Sequence, residues 1–343
     1  MPNTGPDRAL PVHVAVGVVA DGARVLIARR PSGKHMGGLL EFPGGKVDPG
    51  ESVRAALVRE LAEEVGLEAD PVGMEPLIQI EHDYGDKSVL LDVWRVRDFK
   101  GVPRGLEGQP VNWMRVEDLN DTDFPVANRP IIRALRLPPE WLVTGESDDV
   151  GQISRNLALA LSVRSRSGLL LRQPQLAVEA YLRLAHEVLP LCKAHGIPLM
   201  LHGGPSLLQV LPEAAGIHLP QSVVRQLPDV RSAKGTPSSI QQGFVPASEA
   251  RPVAAGKWLG VSCHSPAELA HAALIGADYA TLSPLNPTSS HPEREPLGWD
   301  SFRGWVRAAR CPVYAMGGVG LRDIPSSIGH GGQGIAGISH WWR

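Results

Sequence analysis

Cysteine is scarce in this chain. Cys192, Cys263 and Cys311 are its three thiols, isolated from one another and without C-x-x-C spacing, which excludes a readable disulfide framework or structural zinc site and suits a reducing cytoplasm. Long apolar runs are missing too: none reaches the roughly 18 residues that a membrane span needs, so no membrane partner is expected. Met1 to Ala20 places Asp7, Arg8 and His13 around a short apolar run with no small-residue cleavage site. That pattern argues against a secretory signal and for a soluble, cytoplasmic protein. The third absence is an excess of either charge. With 34 Lys and Arg against 36 Asp and Glu, the formal net charge is -2, so the chain lacks the broad positive field with which nucleic-acid binders collect phosphates. No direct nucleic-acid partner is expected, while small anionic ligands remain open to local basic groups.

What is present fills more than one core. A chain of 343 residues, 43% hydrophobic and 20% charged, is long enough for two globular domains. From Val12 to about Leu137 the pattern reads strand, turn, strand, loop, helix and further strands, opening with Val12 to Val19 and Ala23 to Ala28 around the hairpin signal Asp21-Gly22. This predicts a mixed α+β domain over residues 1–137, ended by the helix breaker Pro138-Pro139. Over 138–343, short apolar runs alternate with helical stretches: Trp141 to Thr144, Leu169 to Leu171, Leu199 to Leu201, Ile217 to Leu219, Leu259 to Val261, Tyr279 to Leu282, Val313 to Met316 and Ile335 to Ile338. Eight such units predict a (β/α)8 TIM-type barrel, with functional residues at the C-terminal ends of the strands. The Ser-, Gly-, Pro- and Gln-rich stretch 224–257 reads as a mobile insertion. Because Arg343 follows closely on the last strand candidate, the closing barrel helix is expected to be missing or very short.

The most informative segment runs from Gly45 to Leu67, with Glu51, Arg59-Glu60-Leu61, Glu63-Glu64 and Gly66 at fixed spacing. A helix capped by Ser52 and stopped at Gly66 puts Val53, Leu57, Leu61 and Val65 on one buried stripe. It gathers Glu60, Glu63 and Glu64 on another face. Carboxylates about 5 Å apart in a partly buried cleft repel by roughly 3 kcal/mol at an effective dielectric of about 20, and a divalent cation reverses that sign. Oxygen-only ligands select hard ions, Mg2+ first, with Mn2+ as a workable substitute. The Pro43-Gly44-Gly45 loop offers backbone that metal and phosphate can approach closely. Arg59 either pairs simply with neighbouring glutamates or orients the catalytic ones.

This spacing matches every fixed position of the Nudix box. From Val12 to Leu137 the chain resembles the MutT branch of Nudix hydrolases, through Ala28-Arg29-Arg30, His35-Met36, Leu40 to Lys46, Glu107-Gly108-Gln109-Pro110 and Asp123 to Asn128. The resemblance implies a pyrophosphohydrolase of oxidised guanine nucleoside triphosphates. It assigns the metals to the Gly44 carbonyl, Glu60, Glu63, Glu64 and Glu107, and the orienting role to Arg59. Arg30, the backbone around Phe42, Asn128 and Lys46 form the implied substrate-binding set. An Asn amide carries both donor and acceptor, so Asn128 can read the O6/N7-H edge that oxidation at C8 creates. Asn128 could equally cap a helix that begins at Arg129-Pro130. Glu60 is the first candidate for the base that takes the proton of the attacking water, Glu107 the second.

The second half resembles the thiamine phosphate synthase/TenI superfamily, through Leu169 to Arg172, Gly216 to Leu219, Gly260 to Ser265, Gly276 to Tyr279, Ser283-Pro284, Pro296 to Gly298 and Ala315 to Gly318. Where the synthases carry an Asn-Asp pair for magnesium diphosphate, this chain has His202-Gly203. Their second metal-binding aspartate falls at about Val223, and their lysine after Thr-x-Thr is replaced by His291. Synthase activity is therefore not expected. A monophosphate cradle survives in Gly317-Gly318 and in the stretch Gly334 to Ser339, and the resemblance implies a phosphorylated thiazole as ligand. His264 matches the histidine thought to move a proton in the thiazole tautomerases. Read without the resemblance, it is a structural histidine, and the Gly-Gly turn a tight corner.

Overall fold

A computed structural model describes residues 11–33, 36–85, 87–162, 166–227, 251–288 and 294–342. Two compact units divide the chain, Met1–Arg136 and Leu137–Arg343. In the first, the alternating run at the start forms β1 (Val12–Asp21), which turns back antiparallel into β2 (Arg24–Arg29). The other strands are β3 (Leu40–Glu41), β4 (Gly44–Lys46), β5 (Glu68–Ala69), β6 (Glu75–Asp83), β7 (Ser88–Val96), β8 (Phe99–Lys100) and β9 (Val111–Arg115). The main sheet runs β3-β2-β1-β7-β6, with β4 also on β1 and β9 on β2. It is mixed: β1 and β7 are parallel from Val12↔Val89 to Val19↔Val96, whereas β6 and β7 are antiparallel. β5 and β8 form a separate two-stranded ladder.

Side chains alternate across a strand, and β1 uses both faces. Ala15 and Val19 point to one side, where they meet Leu57, Leu61 and Val65 of helix α1 (Val53–Val65). Val16 and Val18 point to the other, against Ile131, Ile132 and Leu135 of α2 (Arg129–Arg136). The sheet therefore lies between two helices, each with its own apolar layer. α1 begins and ends where its sequence signals lie. Ser52 Oγ accepts from the Ala55 N–H at 3.2 Å, and Gly66 takes the left-handed conformation at φ 68 while donating to the Ala62 carbonyl. One detail of the stripe differs from expectation. Val53 is only half-buried in the first turn, and Ala56, beside Leu57 on the helical wheel, shares the covered face instead.

In the second unit all eight apolar runs become strands: β10 (Glu140–Val143), β11 (Gly168–Leu171), β12 (Leu199–His202), β13 (Gly216–Leu219), β14 (Trp258–Cys263), β15 (Tyr279–Leu282), β16 (Val313–Met316) and β17 (Gly334–Gly337). They close into a parallel barrel in chain order, β17 returning to β10. Trp141, Tyr279, Tyr314 and Met200 fill the interior, with Trp141 stacked on Tyr279 at 5.2 Å. Leu137 is buried with this interior, which is why the division between units falls before it. Leu142, Leu169, Leu171, Leu199 and Leu201 face outward under the helical layer.

After β17 the described residues form no further helix. The seam between β17 and β10 is covered by the turn that follows. The Trp341 indole donates to the Val143 and Gly337 carbonyls at 2.9 and 3.1 Å, and His340 Nε2 lies 2.7 Å from Glu140. Most of the stretch expected to be a mobile insertion, 228–250 within 224–257, lies outside the described residues, as do His35 and His291. No helix among the described residues is long and apolar enough to cross a membrane.

The caps on α1 carry a testable stability share. Ser52→Ala should cost about 1 kcal/mol, and Gly66→Ala a similar amount, because an alanine resists positive φ. Both should appear as lower urea midpoints of the transition that reports the first unit, with unchanged slope.

Candidate functional site

Three segments converge at the N-terminal half of the molecule: α1, the glycine loop before it and the loop from Arg104 to Gln109. Gly44 sits at φ 146, and a Cβ there would lie 2.2 Å from the Ala15 carbonyl oxygen. A Cβ at Gly45 would lie 2.2 Å from the Glu60 carboxyl carbon. With no Cβ at position 45, the Glu60 carboxylate packs directly against the loop backbone. Arg59 ties the surrounding carboxylates together. Its guanidinium donates to Glu60 at 2.8 Å, to Glu51 at 2.9 and 3.2 Å, to Glu63 at 3.4 Å and to the Lys46 carbonyl at 3.0 Å. Glu51 and Glu60 raise the Arg59 pKa above its ordinary value, and Arg59 in turn lowers that of Glu51. Arg59 thus pairs with its neighbours and orients them by the same bonds.

Glu64 is the carboxylate under most pressure. Burial pushes its pKa up to about 7, and the negative charges of Glu41 and Glu107 add to the effect, against a hydrogen bond from the Gly44 N–H at 2.8 Å. A carboxyl crowded in this way is relieved by a cation, and the available donors are all oxygens, which suits a hard divalent ion. Among the described residues no three acidic, histidine or cysteine groups already form a metal cage. Glu60 and Glu63 are turned onto Arg59, and Glu107 is exposed. An ion here would draw Glu60, Glu63, Glu64, Glu107 and the Gly44 carbonyl together, with waters and phosphate oxygens completing its shell.

Two residues at this site had no role from sequence alone. Gln109, 5% exposed, donates through Nε2 to the Glu64 carbonyl at 3.0 Å and accepts through Oε1 from the Glu107 N–H at 2.9 Å. It clamps the Glu107 loop to the helix end, where the N–H groups of Leu106 and Arg104 also satisfy the open carbonyls of Glu64 and Val65 at 2.9 and 3.1 Å. Glu41 both pairs with Arg30 and loads negative charge onto Glu64. The only sequence signal was their presence in the quoted runs, two residues after Glu107 and one before Phe42.

On the opposite sheet face, Phe42 is buried and stacked on Phe124 at 5.6 Å, in the cluster that holds Ala127. Asn128 follows Ala127 at the end of the 3-10 turn Val126–Asn128, which runs straight into α2. The N-cap of that turn is Pro125, whose carbonyl takes the Asn128 N–H at 2.9 Å. Asn128 is already inside helical backbone, so the capping alternative fails, and its side-chain amide has no partner among the described residues. Lys46 is exposed on β4, with its carbonyl engaged by Arg59.

The barrel carries a cavity of about 890 Å3 at the C-terminal ends of its strands. His202, Ser262, His264, Gly317, Gly318 and Ser339 line it, and Arg172 and Arg294 supply positive charge. No Asp or Glu is among its described lining residues. His264 Nδ1 faces the Ser283 carbonyl at 2.8 Å, a bond that in the neutral ring leaves Nε2 as the acceptor. Burial, with Arg172 nearby, pushes the His202 pKa down to about 4. Gly334 requires a correction. It is the first residue of β17, at the far end of the strand from the cavity, and a Cβ there would lie 1.9 Å from the Pro139 carbonyl oxygen. Close strand packing explains it, while Gly337 and Ser339, at the other end, do line the cavity.

Comparison with known proteins fits this division. Residues 14–134 match the NUDIX domain family, and residues 141–340 match the thiamine monophosphate synthase family. Over 126 residues the chain is 40% identical to the 8-oxo-dGTP diphosphatase of Escherichia coli K12, covering 36% of this chain and 96% of that protein. A CTP pyrophosphohydrolase of the same organism is 36% identical over 123 residues, 36% of this chain and 90% of that protein. A putative thiamine-phosphate synthase 2 of Aquifex aeolicus is 32% identical over 169 residues, 49% of this chain and 79% of that protein.

The Gln109 clamp makes a direct prediction. Gln109→Ala should weaken Mn2+ binding on the order of tenfold, measured by titration with the free ion's spin signal as readout. Unchanged affinity with a normal melting curve would remove the clamp from the site.

Proposed function

We infer, from the premise that this chain belongs to the Nudix hydrolases through its first domain and to the thiamine monophosphate synthase family through its second, that the first domain hydrolyses 8-oxo-dGTP to the monophosphate and pyrophosphate. That domain is a Nudix pyrophosphohydrolase; the oxidised substrate and the resulting cleaning of the nucleotide pool are the proposal. The observation that carries it is the position of Glu64, half-buried beside two other carboxylates and a glycine loop. Such a site is electrostatically complete only with a cation and a polyphosphate. When bound, Mg2+, or Mn2+ in its place, supplies charge neutralisation across the phosphate oxygens and a water of lowered pKa. Gly44 through its carbonyl, Glu60, Glu63, Glu64 and Glu107 would hold it. Water attacks the β-phosphorus, and Glu60 takes its proton, with Glu107 the second candidate. Arg59 keeps Glu60 oriented through the 2.8 Å bond.

Selection of the oxidised base falls to Asn128, Arg30 and the wall around Phe42, and Lys46 adds charge for the triphosphate. The Asn128 amide can accept from N7–H and donate to O6 of the oxidised ring. Ordinary guanine offers an acceptor at N7 and leaves one contact unmade, typically worth about 1–3 kcal/mol. The attached barrel favours a second reading of the Nudix substrate, a diphosphate of thiamine metabolism. The barrel itself is read as a binder of a phosphorylated thiazole. With no carboxylate in its described lining to hold a metal diphosphate, it does not act as a synthase. His264 is the group placed to move a proton if it isomerises that ligand.

Steady-state rates decide between these substrates. kcat/KM on 8-oxo-dGTP should exceed that on dGTP by at least about tenfold, Asn128→Ala should narrow the gap, and thiamine-type diphosphates should be poor. Equal rates on the two guanine nucleotides would sink base selection. Glu63→Gln with Glu64→Gln should abolish turnover without unfolding the chain. Titrating the full chain with a carboxythiazole phosphate, while following isomerisation, tests the barrel, and His264→Gln should remove any isomerisation but keep binding.

A further inference from the structure

The barrel interior holds a buried imidazole that the preceding readings do not use. His218, on β13 and 1% exposed, has Nδ1 3.2 Å from the Tyr279 hydroxyl and Nε2 2.9 Å from the Ser262 hydroxyl. Tyr279 is 0% exposed on β15, and Ser262 lines the cavity from β14. Three adjacent parallel strands bring them together, with Gly260 paired to both His218 and Tyr279. A Cβ at Gly260 would lie 2.5 Å from His218 Nδ1 and 2.6 Å from the Tyr279 oxygen. The histidine and the tyrosine meet only because position 260 has no side chain.

Counting hydrogens sets the direction of these bonds. The Tyr279 hydroxyl is sealed in the barrel, and among the described residues its hydrogen-bond partner is His218 Nδ1. A buried hydroxyl left without an acceptor costs about 1–3 kcal/mol, so its hydrogen goes to Nδ1. A neutral ring that accepts at Nδ1 carries its own hydrogen at Nε2. That hydrogen goes to Ser262 Oγ, and the serine's hydrogen is left to the cavity. The reverse order, or a charged ring, would strand the tyrosine hydrogen. The groups that face the ring are Tyr279, Ser262 and His202, whose ring is stacked at 6.1 Å, and burial keeps His218 neutral.

We propose that Tyr279 and His218 form a hydrogen-bond relay that presents the Ser262 hydroxyl to the cavity as a donor, selecting a ligand with an anionic oxygen against β14. The charge follows from Arg172 and Arg294 at a cavity whose described lining has no carboxylate. This rests on the reading of the barrel as a binder of an anionic ligand. A phosphate and a carboxylate share the chemistry that Ser262 would recognise. Tyr279 and His218 are positioning residues, and Ser262 touches the ligand.

The direction of the relay is measurable in the full chain labelled with 15N-histidine. The spectrum should show His218 as the neutral Nε2–H tautomer, unchanged through the range near pH 6.5 where an exposed imidazole titrates. Tyr279→Phe keeps the ring stacked on Trp141 and should disturb that tautomer. In calorimetric titrations with a carboxythiazole phosphate, Ser262→Ala should weaken binding about tenfold, the effect of a bond to a charged group. Adding Tyr279→Phe to Ser262→Ala should weaken it no further, since the relay acts only through the serine. Inorganic phosphate as a second probe tells the sources apart: loss with both places phosphate at Ser262, and loss with the thiazole alone places the carboxylate there. An Nδ1–H tautomer, a protonated ring or additive losses would overturn the relay while leaving the ligand reading intact. Failure of the unmodified chain to bind the thiazole phosphate would instead overturn the ligand reading and the donor role with it. Should Tyr279→Phe not fold, the wild-type spectrum and Ser262→Ala still decide.

Discussion

The first domain is organised around negative charge held where it is least welcome. Glu64 is half-buried, faces Glu41 and Glu107, and is compensated by the Gly44 N–H. Everything nearby serves that concentration. Ser52 and Gly66 set the two ends of α1, the stripe from Leu57 to Val65 locks its rotation against the sheet, and Arg59 holds Glu60, Glu51 and Glu63 in one fork of bonds. The glycine loop then brings backbone to within contact of Glu60 because no Cβ intervenes. A helix with the same glutamates but free to roll would let them spread into solvent, where their repulsion falls to a few tenths of a kcal/mol and their grip on an ion falls with it.

The barrel meets the opposite electrostatic condition. Its cavity has arginines and histidines but no acidic group among its described lining residues, the charge complement of an anion. His202 and Gly203, where the resemblance to the synthases implies an acidic pair, line this cavity. Their consequence depends on burial. His202 is kept neutral by its surroundings, and His218 behind it is fully enclosed, so two imidazoles in the strand layer add no cation of their own. One chain thus joins a domain with clustered carboxylates to a barrel whose described cavity lining carries arginines and neutral polar groups.

Some of the site was legible only in part. Gly317, Gly318 and Ser339 line the cavity as expected, but Gly334 belongs to the opposite end of the same strand. Consecutive residues of a strand move along it by more than 3 Å each, so a four-residue strand separates its ends by more than a phosphate's width. A glycine-rich run does not reveal which end it serves. Gln109 and Glu41 were visible as letters, yet their roles arise from what is folded beside them, the Glu64 carbonyl in one case and its carboxyl in the other. Val53 marks the limit of helical spacing as a guide: the period finds the apolar face, but Val53 in the first turn is only half-buried while Ala56 is covered.

Local chemistry alone determined the strands of the barrel, the limits of α1 and the identity of the acidic cluster, because periodicity, capping residues and fixed spacing act over a few residues and need no distant partner. Three things waited for the tertiary structure: the clamp at Gln109, the end of the barrel on which each glycine lies, and the meeting of Tyr279, His218 and Ser262. Each depends on atoms from separate strands or loops meeting within about 3 Å, and on how much water is left around them. A sequence carries neither the distance nor the burial, so it can name such residues without saying what they do.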